Sequence, residues 1–287
     1  MRESARGSSP GAATALRWQP ALRGVHVVEW GCELIGTALL LFAGLSAVVV
    51  DLGHGGLAAV VASVVPSPSL RLLVSGLLFA GAGSLIAVSP LGRRSGAHLN
   101  PSVTFGFWLT GHVDRSDLAG YVVAQCAGAT LGAWLVVALW GRVAVRIFDV
   151  RTVPGRGVGD VEAAFVEAAI TATLLLTIFF FTARPRLARW TPVAVWILIA
   201  LLVWRTAPLT GTSLNPARTL GPDLVGRSFT SLWVYLVGPP AGAAAAALVA
   251  HLARSRLYPL TAKLHHHPAY RSVFKSGLPV ARRRRAP

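Results

Sequence analysis

Apolar residues fall in long unbroken runs along this chain, where a soluble strand would alternate and a soluble helix would show one apolar face. Six runs read as membrane spans: Val27 to Val50, Leu70 to Pro90, Leu118 to Trp140, Ala163 to Phe181, Thr191 to Val203 and Leu232 to Leu252. Crossing a hydrocarbon layer about 30 Å thick takes roughly 20 such residues in a helix. The fifth run is short of that, but it extends back through Trp190 and forward through Trp204, residues suited to a membrane interface. Two further runs, Leu99 to Leu109 and Leu214 to Leu224, are too short to span, and each opens at an Asn-Pro. They read as half-helices or re-entrant segments.

With 54% hydrophobic and 13% charged residues over 287 positions, the chain carries more apolar surface than one soluble core could bury. The expected class is an all-α membrane protein. The first run reaches full spanning length behind a polar stretch, so it is expected to stay as a span rather than to be cleaved as a signal peptide.

The net charge of +16 acquires meaning from its placement. Basic residues precede the first span (Arg2, Arg6, Arg17, Arg23), follow the last (Arg254, Arg256, Lys263, Arg271, Lys275, Arg282 to Arg285), and occupy alternate connections (Arg93, Arg94; Arg184, Arg186, Arg189). The positive-inside rule puts both termini and those connections in the cytoplasm, as does an even span number. Residues 1–24 and 254–287 then read as basic tails around a channel-sized body, 25–253. The terminal Arg run is expected to meet anionic lipid headgroups or to be a solvated tail, and nucleic acid is not an expected partner. His265 to His267 lack a second element to complete a metal site, and Cys32 and Cys126 read as packing residues. No metal or cofactor is expected.

The body repeats itself. Glu33 stands four residues before Thr37 in the first span, and Glu167 four before Thr171 in the fourth. Each half (25–140 and 161–253) then has a second span, a Gly-x-x-Leu-Asn-Pro-type motif (Gly96 to Asn100, Gly211 to Asn215), and a third span with paired glycines (Gly128 and Gly132, Gly238 and Gly242). The glycines are spaced for close helix contact. Three spans per half invert the second half relative to the first, and interrupted segments at matching positions point to a path between the halves.

An Asn before a Pro is a favoured helix start. Two such starts meeting near mid-membrane would aim positive dipole ends and the side chains of Asn100 and Asn215 at one spot. Arg218, three residues after Asn215, is costly at that depth unless it lines a wet path. Oriented donors in a positive field would admit neutral polar solutes and repel cations and protons. Glu33 and Glu167 could serve as proton-coupling carboxylates, or as acceptors for backbone donors of the re-entrant loops, with His98 nearby. No nucleophile and base pair appears in any span, so an enzyme is not expected.

On "SGAHLNPSVT" and "LNPARTLGP" the chain resembles the aquaporin, or major intrinsic protein, family over about Val27 to Ala250. The resemblance implies an hourglass of six tilted helices and two half-helices in an inverted repeat, one pore per protomer, and a homotetramer. It also implies passive conduction of water or small neutral solutes through a plasma-membrane channel. The motif residues are then Asn100, Pro101, Ser102, Asn215, Pro216 and Ala217. Ser102, in place of the Ala of the second copy, is expected to tune packing or a local hydrogen bond.

Counted from the motifs, the family's four-residue outer constriction falls on Ala80, Val203, Thr212 and Arg218, with Phe79 competing for the first place. Water-selective members carry Phe and His where this chain has Ala80 and Val203. Glycerol facilitators carry aromatics, and an Asp after the Arg where this chain has Thr219. Thr219, Tyr235 and Leu236 resemble the nodulin-type branch, which implies a wide filter for small hydroxylated solutes. The rival expectations are a proton-coupled carrier using Glu33 or Glu167, and a closed-pore structural protein.

Overall fold

The computed structural model of the chain describes residues 18–53, 56–141, 143–144 and 152–278. Among these residues the protein is all helical apart from one isolated bridge, Gln19 to Ser276. In chain order the helices are α1 (Val27–Leu52), α2 (Gly56–Val64), α3 (Pro68–Val88), α4 (Pro90–Ser95), α5 (Pro101–Leu109), α6 (Arg115–Trp140), α7 (Asp160–Thr182), α8 (Thr191–Thr210), α9 (Pro216–Gly226), α10 (Leu232–Leu252) and α11 (Arg254–Leu257). Six of them, α1, α3, α6, α7, α8 with its preceding turn, and α10, are long and apolar enough to cross a membrane. Their outward side chains, such as Leu85, Phe165 and Leu252, stand exposed, a surface that hydrocarbon rather than water would cover.

The fifth span runs past the predicted Val203 to Thr210. Hydropathy falls at Arg205 and Pro208, yet the helix continues past both; Pro208 lies inside it and has no N–H for the carbonyl of Trp204. The short helix α2 has no counterpart in the sequence reading.

Each half is clamped by one backbone-close helix pair. A Cβ on Gly128 or Gly132 would collide with the carbonyls of Leu34 and Ala38 on α1. One on Gly238 or Gly242 would collide with those of Ala164 and Ala168 on α7. Absence of a side chain is therefore what lets α6 lie on α1 and α10 on α7.

The half-helices α5 and α9 start in the interior and run to opposite ends of the bundle. The C-terminal end of α5 meets residues 258–275, where Tyr258 Oη donates to the Thr110 carbonyl and Lys275 N to that of His112. At the far end lie Asp160, Ser231 and Trp233, joined by hydrogen bonds from Ser231 Oγ and Trp233 Nε1 to the Asp160 carboxylate.

The reading of 254–287 as a tail is corrected over its described part. Residues 258–278 fold back across one end of the bundle as a strap: Leu260 N donates to Thr182 O, Leu264 N to Gly96 O, Gly277 N to Leu260 O, and Gln19 and Ser276 exchange backbone bonds. Lys263, counted among the basic residues that follow the last span, is fully buried, its Nζ donating to the carbonyl of Arg93 at 2.6 Å and that of Arg271 at 3.2 Å. Burial lowers its pKa to about 8. Alternating Leu260, Ala262 and Leu264 supply the apolar contacts that hold the strap down. Arg2, Arg6, Arg17 and the run Arg282 to Arg285 lie outside the described residues.

Candidate functional site

Gly96 and Gly211 end the preceding helices in the left-handed region, at φ 100° and 72°, where a glycine carries no steric penalty. After each, two further residues take positive φ: Ala97 and Leu99 in the first loop, Thr212 and Leu214 in the second. For side-chain-bearing residues this costs on the order of 1 to 3 kcal/mol apiece, so something must hold the loops.

That something is a buried carboxylate in each half. Glu33 Oε1 accepts from Ser95 Oγ at 2.7 Å and His98 N at 3.1 Å, and Oε2 accepts from Leu99 N at 2.7 Å and Gln125 Nε2 at 2.8 Å. Glu167 Oε1 accepts from Thr210 Oγ1 at 2.7 Å and Ser213 N at 2.8 Å, and Oε2 from Leu214 N at 2.8 Å. A tyrosine completes each clamp: Tyr121 Oη donates to Ser95 O and Tyr235 Oη to Thr210 O. Both carboxylates are wholly buried, and neither borders the cavity described below.

The loops deliver Asn100 and Asn215 as helix N-caps. Asn100 Oδ1 accepts from Ser102 N, and Asn215 Oδ1 from Ala217 N and Arg218 N, with Pro101 and Pro216 at the first helical positions. Each Asn also crosses to the other half: Asn100 Nδ2 donates to Leu214 O and Asn215 Nδ2 to Leu99 O, both at 2.8 Å. A primary amide has two N–H groups, so one remains on each Asn.

A cavity of about 140 Å³ runs between the halves, room for several waters. Asn100 and Asn215 border it at mid-depth, with the backbone of 97–99 and 211–214; Leu264 borders it at the strap end, and Val203 and Arg218 at the other. Ala80 and Thr212 also line it. So does Phe79, whose ring centre lies 5.7 Å from the Arg218 guanidinium carbon and whose edge occupies the space Gly44 leaves open. Both Phe79 and Ala80 therefore border the cavity, with the Phe79 ring beside the cation.

His98 holds the loop from another side. Its Nε2 donates to the Ala262 carbonyl of the strap at 2.7 Å, Nδ1 lies 3.1 Å from Thr104 Oγ1, and the ring stacks between Phe107 and Phe274. Ser102 is buried, its hydroxyl has no hydrogen-bond partner among the described residues, and the residue does not border the cavity. The expected local hydrogen bond is thus not made, which leaves packing.

Three positions tied to the residues around the cavity escaped the sequence reading. Thr152 Oγ1 accepts from Arg218 Nη1 at 2.9 Å and pairs with Thr219 Oγ1 at 2.8 Å, fixing the guanidinium. Ser75 borders the cavity and its hydroxyl donates to the buried Asp51, which Arg71 also engages through Nε at 3.0 Å. Thr206 Oγ1 bonds Thr212 Oγ1 at 2.7 Å. Thr152 and Asp51 lie in or beside connections, where no periodicity marks them. Among the described residues no group of three or more His, Cys, Asp or Glu is placed to hold a metal, and Cys32 and Cys126 are free thiols.

A cavity bordered by the capping asparagines of two opposed half-helices, in a bundle with six helices long and apolar enough to cross a membrane, is the architecture of a membrane channel. Comparison with known proteins gives its family. The major intrinsic protein family model matches residues 26–250, and the chain belongs to that family. It is 34% identical to aquaporin NIP1-4 of Oryza sativa subsp. japonica over 223 residues, 77% of this chain and 75% of that protein. It is 31% identical to aquaporin TIP2-1 of Zea mays, covering 76% of this chain and 83% of that one. Among solved structures, the aquaglyceroporin from Plasmodium falciparum shares the fold, with a TM-score of 0.64 at 22% identity over 81% of this chain and 98% of that chain.

Proposed function

We propose that the protein is a passive channel for water and small neutral hydroxylated solutes, of the size of glycerol or urea, that excludes protons and other ions. The observation that carries this reading is the pair Asn100 and Asn215, each capping its half-helix, bonded to the opposite loop, and left with one N–H for the cavity. Donors arriving from both halves turn a permeating water so that its oxygen accepts from the asparagines. Water held this way donates to its neighbours on both sides and has no lone pair left to accept from either at that point, which breaks a proton wire, and two helix N-termini with Arg218 raise the field against cations.

At the constriction, Phe79 offers an apolar face and Arg218 with Thr212 a polar edge, while Ala80 and Val203 leave width. Such a wall suits a solute with hydroxyls on one side and carbon on the other. The names of the relatives, aquaporin and aquaglyceroporin, agree in class. The protein is proposed to act as a homotetramer in the plasma membrane, with the strap end and its Arg93, Arg94 and Arg184 to Arg189 connections in the cytoplasm, where the basic residues meet anionic headgroups.

Stopped-flow light scattering on proteoliposomes tests this. Water and at least one of glycerol, urea and boric acid should equilibrate faster than in empty vesicles; no acceleration of any of them refutes the proposal. Ala80→Phe with Val203→His should slow the larger solutes while sparing water, and an equal effect on both would remove these positions from the filter.

A further inference from the structure

The strap ends up in an unexpected place. Its Leu264 borders the same cavity that Asn100, Asn215 and Arg218 border. Chain position puts Ala87 at the end of α3, and Pro192 and Val195 at the start of α8, around that same end of the path. This stretch is largely apolar, with the one nearby hydroxyl, that of Ser84, turned onto the Pro192 carbonyl at 2.8 Å, in contrast to the amide and guanidinium groups deeper in. Leu264 is not there by loose contact: Leu264 N donates to Gly96 O at 3.0 Å, His98 Nε2 to Ala262 O at 2.7 Å, and Lys263 Nζ to Arg93 O at 2.6 Å. Phe274 stacks on the far side of the His98 ring, with centroids 5.2 Å apart. Three successive strap residues are thus fixed to the backbone and side chains that carry the first half-helix.

We infer that the strap contributes Leu264 to the channel wall, and that Leu264 is a flux-limiting residue in an apolar collar at the strap end of the path. The inference rests on the channel reading above. Water or a polyol passing an apolar collar gives up hydrogen bonds that the asparagines return only further in, so collar width sets a barrier of its own. A shorter side chain at 264 lowers that barrier and a larger one raises it. The constriction at Arg218 is then one of two controls on permeation, and the second comes from the C-terminal segment.

The test uses the full chain in proteoliposomes, comparing wild type with Leu264→Ala, Leu264→Trp and Leu278→Ala. Leu278 is buried against Leu260 and Ala188 in the same strap and does not border the cavity. Leu264→Ala should raise solute permeability about twofold or more, and Leu264→Trp should lower water and solute flux together. Leu278→Ala should match wild type. Unchanged flux in both position-264 variants, or equal changes in Leu264→Ala and Leu278→Ala, overturns the inference while leaving the channel standing; a wild type that conducts nothing removes both. Should the Trp variant fail to reconstitute, Leu264→Cys is treated with a small methanethiosulfonate reagent beside treated wild type. Lost flux on modification supports the collar, and quantitative modification of the L264C thiol with flux unchanged refutes it.

Discussion

The loop before Asn100 and the loop before Asn215 are braced alike and surrounded differently. Each has a buried glutamate taking two successive backbone N–H groups, a hydroxyl (Ser95 or Thr210), and a tyrosine on that residue's carbonyl. Around this common frame the first half adds His98, which ties it to the strap, and the second adds Arg218, fixed by Thr152. The shared parts hold the two half-helices tip to tip; the unshared parts sit toward the two ends of the cavity. The repeat supplies a common scaffold, and the halves differ in what surrounds it.

Removing the brace itself should have the largest effect. Glu33→Ala strands two loop N–H groups, Ser95 and Gln125, and Glu167→Ala strands two N–H groups and Thr210. At about 1 to 3 kcal/mol per stranded group, both should abolish a monodisperse peak in size-exclusion chromatography. Glu33→Gln and Glu167→Gln, which keep one acceptor oxygen, should retain a folded fraction. Wild-type elution of both Ala variants would show that the loops do not depend on the carboxylates.

Breaking the asymmetry comes next. Arg218→Val should leave the fold intact and raise passive proton leak about tenfold, the effect of lowering a barrier by roughly 1.4 kcal/mol. A pH-sensitive dye trapped in vesicles reads it, and an unaltered leak would assign exclusion to the asparagines and half-helices alone. Thr152→Val keeps the shape and removes the hydroxyl that Arg218 and Thr219 share. It should cost about 1 kcal/mol of stability in thermal melts and shift the ratio of solute to water permeability, with Thr152→Ser restoring it. If the ratio does not move, Thr152 only packs.

The smallest effect should come from making the two motifs identical. Ser102→Ala removes a buried hydroxyl without a partner among the described residues, so stability should change by less than about 0.5 kcal/mol and flux not at all. A clear loss of solute flux would place Ser102 in the path after all.

The scaffold was legible in the sequence because its causes are local or repeated. Spanning runs announce themselves by length, Asn-Pro by helix-cap chemistry, and the braces by the recurrence of Glu33 in Glu167. The added parts were less legible because their partners are remote. Thr152 meets Arg218 from a connection with no pattern of its own. Lys263 reads as one more solvated cation, and only the backbone carbonyls of Arg93 and Arg271 make its burial possible. Counting back from Asn100 selected Ala80, since a count follows spacing; the ring of its neighbour Phe79 reaches Arg218 through space that Gly44 concedes. Alternating Leu260, Ala262 and Leu264 was the one available sign of the strap, and five residues among eight basic neighbours are easily passed over as tail.

The exchange of bonds between Asn100 and Leu214, and between Asn215 and Leu99, also bears on biogenesis. Synthesis from the N-terminus delivers the first loop into the bilayer before its acceptor at Leu214 has been made. Until then the Asn100 amide and the Leu99 carbonyl need water or a temporary partner, because hydrocarbon offers neither. The first half is thus committed to waiting in a hydrated state, and the late arrival of residues 214 and 215 both completes the fold and closes the path around its own solvent.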